Sequence, residues 1–277
     1  MSHTHTPVVL ITGATSGIGF ETALRLTHLG TAVIIHGPHE LEVRRALTRL
    51  QHRGADVRRL DGAVADFTRL GEVAALAEHV HARYPRLDVL VNNAAIAAPA
   101  ARYRTEDGNE LTLQVNYLAH YLLTRLLRER LRAANGRVVS VSSAAHRTAD
   151  IDWTDPQQLR AYRPQAAYAQ SKLALTMFSR ALAQREPQLT AISVDPGSTD
   201  TALLPLYGGA GQPAATGADP VLHLCSPRIR VRTGAYYAGL QIGVPNPLVH
   251  HDKALDRLWR LSTAMVGLDR ALAASAA

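Results

Sequence analysis

The chain has 277 residues, of which 47% are hydrophobic and 19% are charged, so it can bury a sizeable core and is not a disordered protein. Its formal net charge is +7, but the arginines are scattered along apparent helices, and only 5% of the residues are aromatic. This composition disfavours nucleic-acid binding, because it offers neither a dense basic block nor stacking platforms for bases.

Cysteine usage and the N-terminal segment indicate the compartment. A single cysteine, Cys225, excludes a disulfide within the chain and is typical of a reducing environment. The segment up to Pro7 is polar and lacks the apolar core of a signal peptide, and no apolar run reaches the ~20 residues that span a bilayer. His3 and His5 in this segment are interpreted as part of a disordered tail. We expect a soluble cytoplasmic protein with no metal site.

Short apolar runs alternate with helical segments through most of the chain. Seven runs are predicted to be strands, at 8–12, 32–36, 57–60, 87–91, 137–141, 190–194 and 235–240. Helical spacing is found at 17–29, 40–52, 69–83, 106–132, 165–185 and 253–273. This alternation predicts an α/β fold, a doubly wound parallel sheet of about seven strands with helices on both faces.

The chain shows no internal repeat and no linker, so we expect one domain over residues 1–277. Residues 198–220 are rich in Gly, Pro, Ala and Leu, which is typical of a loop. We interpret the stretch 198–234 as a lid over the substrate, with apolar side chains at Leu203, Leu204, Leu206 and Tyr207.

A glycine-rich turn follows the first predicted strand. Gly13, Gly17 and Gly19 stand in Thr-Gly-Ala-Thr-Ser-Gly-Ile-Gly, where a strand meets a helix. In a dinucleotide site, such glycines permit a tight turn and let the backbone approach the pyrophosphate, while the helix N-terminus offers N–H groups to the phosphates. An ordinary turn is the alternative, and the strand and helix on either side favour the dinucleotide site.

Tyr168 and Lys172 lie four residues apart in a predicted helix, so their side chains share one face. An ammonium group nearby favours a phenolate over a phenol, whose ordinary pKa is ~10. The pair is therefore suited to donate and accept a proton near neutral pH. In isolation, a packing tyrosine and a solvated lysine would be the commoner explanation. The glycine turn upstream favours the acid–base role, with a dinucleotide as hydride partner.

These motifs, in this order, resemble the short-chain dehydrogenase/reductase family over about residues 7–270. The family's Thr-Gly-x-x-x-Gly-x-Gly motif is matched by residues 12–19, and its Asn-Asn-Ala-Gly motif by residues 92–95, with Ala95 in place of the last glycine. Its Pro-Gly motif is matched by Pro196-Gly197. The resemblance implies a Rossmann fold and an NAD(P)-dependent oxidoreductase.

The long gap between Ser143 and Tyr168 and the pair Ala145-His146 resemble the branch of retinol dehydrogenases and their bacterial relatives. The gap holds an insert, residues 147–164, which either walls the substrate pocket or is a surface excursion.

The family resemblance implies a catalytic set of four residues. Tyr168 exchanges a proton with the substrate oxygen, Lys172 lowers the tyrosine pKa and binds the nicotinamide ribose, and Ser143 holds the substrate oxygen. Asn116 orders a water that links Lys172 to solvent. Ser140 and Ser142 are alternatives to Ser143, which is preferred because the family's serine is usually the last of such a pair.

The resemblance also implies a set of cofactor-binding residues, with Asp61 near the adenine and Thr201 near the nicotinamide carboxamide. The full set is Gly13, Thr15, Ser16, Gly17, Ile18, Gly19, His36, Asp61, Asn92, Ala94, Tyr168, Lys172, Pro196, Gly197 and Thr201.

The end of the second strand decides between NAD and NADP. No acidic residue stands there to bind the ribose 2′-hydroxyl of NAD. Pro38 occupies the position where the related branch usually has an arginine for the 2′-phosphate of NADP. His36, His39 or Arg44 could donate to that phosphate instead. We therefore favour NADP as the cofactor, with NAD as the alternative.

The small apolar stretch 94–101 and the apolar lid predict a pocket for an apolar ketone, aldehyde or secondary alcohol. A non-catalytic dinucleotide-binding sensor or scaffold is the main alternative, and an epimerase of the extended relatives is a third. The resemblance implies a homodimer or homotetramer formed through the helices at 106–132 and 165–185.

Overall fold

One eight-stranded sheet organises the chain in the computed structural model, which describes residues 6–201, 203 and 211–269. Its strands are β1 (Val8–Ile11), β2 (Ala32–Gly37), β3 (Leu60–Val64), β4 (Val89–Asn92), β5 (Arg137–Val141), β6 (Thr190–Asp195), β7 (Tyr236–Ala238) and β8 (Gln241–Ile242). Their order is β3-β2-β1-β4-β5-β6-β7-β8, and only β7 and β8 pair in antiparallel fashion. The predicted doubly wound fold is confirmed, with eight strands instead of about seven.

Helices pack on both faces of the sheet. They are α1 (Gly17–His28), α2 (Glu40–His52), α3 (Leu70–Arg83), α4 (Leu111–Leu113), α5 (Ala119–Leu126), α6 (Arg128–Arg132), α7 (Pro164–Arg185), α8 (Ala214–Cys225) and α9 (Asp252–Met265). Because side chains alternate along a strand, Leu10 joins one core with α3, α5, α7 and α9. Val9 and Ile11 join the other core, with α1, α2 and α8.

The third strand lies later in the chain than the apolar pattern predicts. Val57–Arg59 is a 3₁₀ turn, and β3 begins at Leu60. The turn forms because the Asp56 carboxylate accepts a hydrogen bond from the Arg58 N–H at 3.0 Å. The sequence of β3, Leu-Asp-Gly-Ala-Val, contains an acid and a glycine. Both residue types are rare in strands, so the apolar pattern does not predict a strand there.

The predicted helix over 106–132 is divided into several parts. The Glu110 carboxylate caps the first turn by accepting hydrogen bonds from the N–H groups of Thr112 and Leu113, at 2.8 and 2.7 Å. The following residues, Gln114–Leu118, form a π-helical turn before α5.

The predicted lid contains a helix, although its composition predicts a loop. Part of the Gly- and Pro-containing stretch forms α8. Its Gly217 is a packing glycine, since a Cβ there would lie 2.5 Å from Thr199 Oγ1. Leu204, Leu206 and Tyr207, as well as residues 270–273 of the last predicted helix, lie outside the described residues.

Replacing Gly19 by alanine should lower the free energy of unfolding by about 1–3 kcal/mol. A Cβ at Gly19 would lie 2.6 Å from the carbonyl oxygen of Gly13 and 2.6 Å from the amide nitrogen of Asn93, and the backbone carbonyl cannot easily move away. Gly71 in α3 is the matched control, because no atom lies within 4 Å of a Cβ built there. Gly71→Ala should stabilise by about 0.5–1 kcal/mol. Urea unfolding of both variants tests this difference, and equal effects would contradict it.

Candidate active site

A cavity of about 400 Å³ opens at the carboxyl ends of the central strands, beside the β1–β4 boundary where the strand order reverses. This is where doubly wound sheets bind dinucleotides. Most of the predicted site residues line it, namely Gly13, Thr15, Ser16, Gly17, Ile18, His36, Ala94, Ser143, Tyr168, Lys172, Pro196, Gly197 and Thr201. Four do not line it, namely Gly19, Asp61, Asn92 and Asn116.

The glycine turn and the start of α1 fit a phosphate group. Gly13 has a φ of +62°, and a Cβ there would lie 2.7 Å from the Cα of Ala94, so only glycine lets these two loops meet. Ser16 is the N-cap residue of α1, and its side chain makes no capping hydrogen bond. The first N–H groups of the helix and its positive dipole end are thus placed for an anion in the cavity.

Asn93 ties the glycine turn to the loop after β4. Its side-chain amide donates to the carbonyl oxygens of Thr12 and Gly13, at 2.8 and 3.0 Å. Its N–H and that of Ala94 donate to Thr12 Oγ1, at 2.9 and 3.0 Å. Asn92, the predicted cofactor ligand, instead points behind the wall and donates to Thr124 Oγ1 at 3.1 Å. Asn93 is therefore the asparagine of this pair that lines the cavity.

Lys172 is almost fully buried on the cavity wall, at 2% exposure. Its Nζ donates to the Val141 carbonyl oxygen at 2.9 Å and lies 5.7 Å from the centroid of the Tyr168 ring. Burial lowers the pKa of Lys172 from 10.5 to about 8, and the Asp195 carboxylate opposes that change. The structure thus brings the Tyr–Lys pair of α7 together, as the helical spacing predicts.

The structure separates the three candidate serines. Ser143 lines the cavity at the start of the 3₁₀ helix Ala144–Thr148, and its Oγ accepts a hydrogen bond from the Ala145 N–H at 3.2 Å. Ser142 also lines the cavity, but its hydroxyl lies 2.6 Å from Thr176 Oγ1 of α7 and is engaged there. Ser140 is buried within β5 and does not line the cavity. This arrangement favours Ser143.

Asn116 lies behind the cavity wall in the π-helical turn. Its side chain accepts from the Ile96 N–H at 2.8 Å and donates to the Ile96 carbonyl oxygen at 3.1 Å. Its own carbonyl oxygen lies 3.1 Å from the Nδ1 atom of the buried His120. The side chain thus fixes the loop after β4.

His36 lines the cavity but cannot clamp a phosphate, which corrects one expectation. Its Nδ1 accepts a hydrogen bond from the Gly13 N–H at 3.2 Å, and its Nε2–H donates to the Ala65 carbonyl oxygen at 2.8 Å. Burial lowers the pKa of His36 to about 4, so the ring is neutral. It stacks on Phe67, with the centroids 4.4 Å apart.

The two remaining clamp candidates lie in or beside α2. Arg44 lies in an exposed ion pair with Glu40, at 2.6 Å. His39 is the N-cap residue of α2, and its side chain makes no capping hydrogen bond.

Asp61 is not at the cavity, which corrects a second expectation. Its carboxylate accepts a hydrogen bond from the Tyr84 hydroxyl at 3.0 Å and lies 3.3 Å from His79 Nε2, on the side of α3. The acid after β3 that does line the cavity is Asp66, next to Phe67. The displaced third strand explains the error, because the prediction ended that strand at residue 60.

Further lining residues were missed from the sequence, including Pro38, Glu42, Asp195 and Thr199. Pro38, Asp195 and Thr199 lie at or just after the carboxyl end of a strand, and this position could have predicted that they line the site. Glu42 lies one turn into α2, and only its spacing from Pro38 points to it.

The insert 147–164 contacts the site through Tyr162. This ring belongs to a cluster with Tyr168, Ala98 and Leu203, and its hydroxyl donates to the Pro99 carbonyl oxygen at 3.0 Å. The C-terminal segment holds the start of the insert, since the buried Asn246 amide lies 3.2 Å from the His146 carbonyl oxygen and 2.8 Å from that of Ala149. The insert is therefore packed against the candidate active site and is not a free surface excursion.

Within the part of the chain that the structure describes, no helix has the length and apolarity that crossing a bilayer requires.

Comparison with known proteins agrees with this geometry. The family model described as short chain dehydrogenase matches residues 7–206. A Streptomyces sp. (strain C5) protein whose name proposes a daunorubicin C-13 ketoreductase, DnrU, is 38% identical, and the alignment covers 94% of this chain and 92% of that protein. Retinol dehydrogenase 13 of Mus musculus is 32% identical, with 94% and 84% covered.

A solved structure supports the dinucleotide site. The NADPH complex of a proposed short chain dehydrogenase from Escherichia coli CFT073 is 25% identical, has a TM-score of 0.69, and matches 85% of this chain and 97% of its own. The matched family region includes the glycine turn and the Tyr–Lys pair. The chain belongs to the short-chain dehydrogenase/reductase family of oxidoreductases, in the branch similar to the retinol dehydrogenases.

Proposed function

We propose that this chain transfers a hydride between NADP(H) and an apolar ketone, aldehyde or secondary alcohol, with Tyr168 as general acid and base. The observation that carries this proposal is the placement of Tyr168, Lys172 and Ser143 on the wall of one cavity with the glycine turn. The N–H groups at the start of α1 would hold the pyrophosphate, and Lys172 would bind the nicotinamide ribose. When bound, the dinucleotide supplies or accepts the hydride.

The chain's own residues handle the proton. In the reducing direction, the Tyr168 hydroxyl gives its proton to the substrate oxygen, and in the oxidising direction the phenolate takes it back. The Lys172 ammonium stabilises the phenolate by its charge. The Ser143 hydroxyl donates to the substrate oxygen as negative charge develops there. Asn116 would order a water that links Lys172 to solvent.

The surroundings of Tyr168 favour an apolar substrate. Ala98, Ala145, Tyr162 and Leu203 pack beside the tyrosine, and none of them carries a charge. A pocket of this kind binds a substrate mainly by burying apolar surface. The names of the retinol and polyprenol dehydrogenases among the relatives refer to apolar alcohols, and that of the DnrU relative refers to a ketone. These names support the class of substrate proposed for this chain.

NADP is the proposed cofactor, although His36 cannot serve as the predicted phosphate clamp. The NADPH complex of the Escherichia coli relative supports this choice. Within the chain, the Arg49 guanidinium lies 3.5 Å from the Thr15 carbonyl oxygen, and Thr15 contacts the end of β2, where a Cβ on Gly37 would lie 2.3 Å from Thr15 Cγ2. Arg49 is thus a cation beside the expected 2′-phosphate position. The negative charge of the Glu42 carboxylate on the cavity wall would repel that phosphate.

Replacing Glu42 by glutamine should increase kcat/KM for NADPH by about 3- to 10-fold relative to NADH. Removing one negative charge near the 2′-phosphate relieves a repulsion on the order of 1 kcal/mol, and NADH lacks that phosphate. Steady-state kinetics with both cofactors measure the ratio. The exposed Glu129, which lies outside the cavity lining and pairs with Arg128 and Arg132, provides the control variant Glu129→Gln. An unchanged ratio would place the ribose 2′ position away from Glu42.

NADPH oxidation in the presence of a panel of apolar ketones and aldehydes tests the function itself, with NADH in parallel. Turnover of at least one carbonyl with a preference for NADPH is the expected result. Binding of NADPH without any turnover would favour the alternative of a dinucleotide sensor. A clear preference for NADH would overturn the choice of cofactor and leave the reaction class intact.

We further propose that the chain forms a single catalytic domain with a lid over 198–234 and assembles as a homodimer or homotetramer in the cytoplasm. The buried position of Cys225, the only cysteine, supports a reducing compartment. Size-exclusion chromatography with light scattering would test the assembly.

A further inference from the structure

His146 follows the catalytic serine candidate by three residues and has no role in the mechanism above. It lies in the 3₁₀ helix that begins after Ser143, is fully buried, and does not line the cavity. Its ring Nδ1 lies 2.7 Å from the Ser143 carbonyl oxygen, and its backbone N–H donates to the same oxygen at 3.1 Å. The Ser143 carbonyl therefore receives two hydrogen bonds from a single residue.

The contacts of the ring assign its proton. A carbonyl oxygen only accepts hydrogen bonds, so Nδ1 carries the hydrogen. Among the described residues, Nε2 has no hydrogen-bond partner, and nothing there competes for the opposite tautomer. Burial lowers the pKa of His146, which keeps the ring neutral. The side chain is thus a fixed single donor toward Ser143.

We propose that His146 is a positioning residue that orients Ser143 for the reaction, an inference that rests on the proposed function. Two donors on one carbonyl fix the peptide plane after Ser143 and hold its extended backbone, with φ −159° and ψ 151°. That backbone determines where the Cα–Cβ bond points, and so which positions the Oγ atom can reach. The serine hydroxyl is thereby held on the cavity wall before any substrate arrives, which reduces the reorganisation needed in the transition state.

The C-terminal part of the chain holds His146 in turn. The Tyr236 ring packs edge-on against the imidazole, with the centroids 4.5 Å apart and an interplanar angle of 64°. The Asn246 amide contacts the His146 carbonyl oxygen. The imidazole therefore has one accessible orientation, and replacement by an apolar side chain removes both the donor and the ring that maintain the Ser143 peptide.

Kinetics of two variants test this role. His146→Leu should lower kcat by about 10-fold and leave the Kd for NADPH within about 2-fold, since the charge-free donor acts on the serine and not on the cofactor turn. His146→Asn should recover most of the lost rate, because its amide can replace the Nδ1 donor. Similar melting temperatures for the two variants would show that packing is not the cause of the difference.

A double-mutant cycle with Ser143→Ala separates positioning from general support. If His146 acts through the serine hydroxyl, His146→Leu should cost less than about 2-fold when Ser143 is already alanine. A full 10-fold loss in that background, or failure of the asparagine variant to recover activity, would overturn the proposal. Single-turnover measurement at high enzyme concentration makes the slow Ser143→Ala reaction accessible.

Crystal structures of the two His146 variants provide a test that does not depend on turnover. A rotated Ser143 peptide in His146→Leu and a native one in His146→Asn would support the proposal. An unchanged peptide in the leucine variant would overturn it. Failure of the proposed function is a different result: in that case the unmodified enzyme turns over no carbonyl.

Discussion

Replacing Tyr168 by phenylalanine should lower kcat by about 10²- to 10⁴-fold, while the Kd for NADPH changes by no more than about 2-fold. The change removes only the hydroxyl that exchanges a proton with the substrate. The ring, which is 3% exposed and packs in an apolar cluster, can keep its place. Steady-state rates with the best carbonyl of the panel and fluorescence titration of NADPH measure the two quantities.

Tyr162 offers a matched control for this prediction. It belongs to the same apolar cluster, and its hydroxyl is bound to the Pro99 carbonyl oxygen. Tyr162→Phe removes a hydroxyl from the same neighbourhood without touching the proton path, and should lower kcat by less than about 10-fold. Comparable losses in the two variants would show that Tyr168 supports the pocket and does not carry the proton.

Replacing Lys172 by methionine should abolish most activity and yet raise the melting temperature of the cofactor-free protein at neutral pH. The folded state holds the Lys172 pKa at about 8, against an ordinary value of 10.5, because the ammonium is buried. That difference corresponds to a cost of about 3 kcal/mol while the lysine is protonated in both states. Methionine removes this cost but also loses the hydrogen bond to the Val141 carbonyl, which is worth about 1 kcal/mol. The remaining stabilisation of the variant should raise its melting temperature by roughly 4 °C.

The sign of the pH dependence makes this prediction specific. Below pH 8 the full cost of the buried ammonium is present, and methionine is the more stable side chain. Between pH 8 and 10.5 the unfolded chain binds the extra proton, so the stability of the unmodified protein rises with pH and the advantage of methionine disappears.

Thermal unfolding of both proteins from pH 6.5 to 10 measures this convergence. Curves that run parallel across the range would show that the Lys172 ammonium is not destabilising in the folded protein.

The Tyr168–Lys172 pair and the glycine turn could be predicted from the sequence because the geometry of each is local. Tyr168 and Lys172 are one helical turn apart, and Gly13 to Gly19 lie between a strand and a helix, so spacing alone places them. Their arrival at one cavity follows from the parallel sheet, whose strands present their carboxyl ends at the same edge.

Other features depend on register and burial, which spacing does not encode. Asp61 was predicted to lie near the adenine, whereas Asp66 is the acid after β3 that lines the cavity. The prediction failed because β3 begins at the end of the predicted strand, after a turn capped by Asp56. His36 follows an apolar run and has the right chemistry for a phosphate. Only the structure shows that both of its nitrogens are bonded to the backbone.

The C-terminal third was the least predictable part of the fold. Gly217 suggested a loop, and its role in α8 is visible only beside Thr199. Strand β8 has two exposed residues, so it has neither the length nor the apolar pattern that predicts a strand. Both elements form through tertiary contacts, which override local preference.

The contacts of Asn246 have a consequence for the order in which the enzyme matures. During synthesis from the N-terminus, the strands up to β6 are complete by residue 195, whereas the residue that holds the serine loop is made some fifty positions later. A nascent chain can thus carry its glycine turn, serine, tyrosine and lysine before that loop is secured. We expect such a chain to secure the loop after Ser143 only once residue 246 has been made, when strands β1 to β6 are already complete.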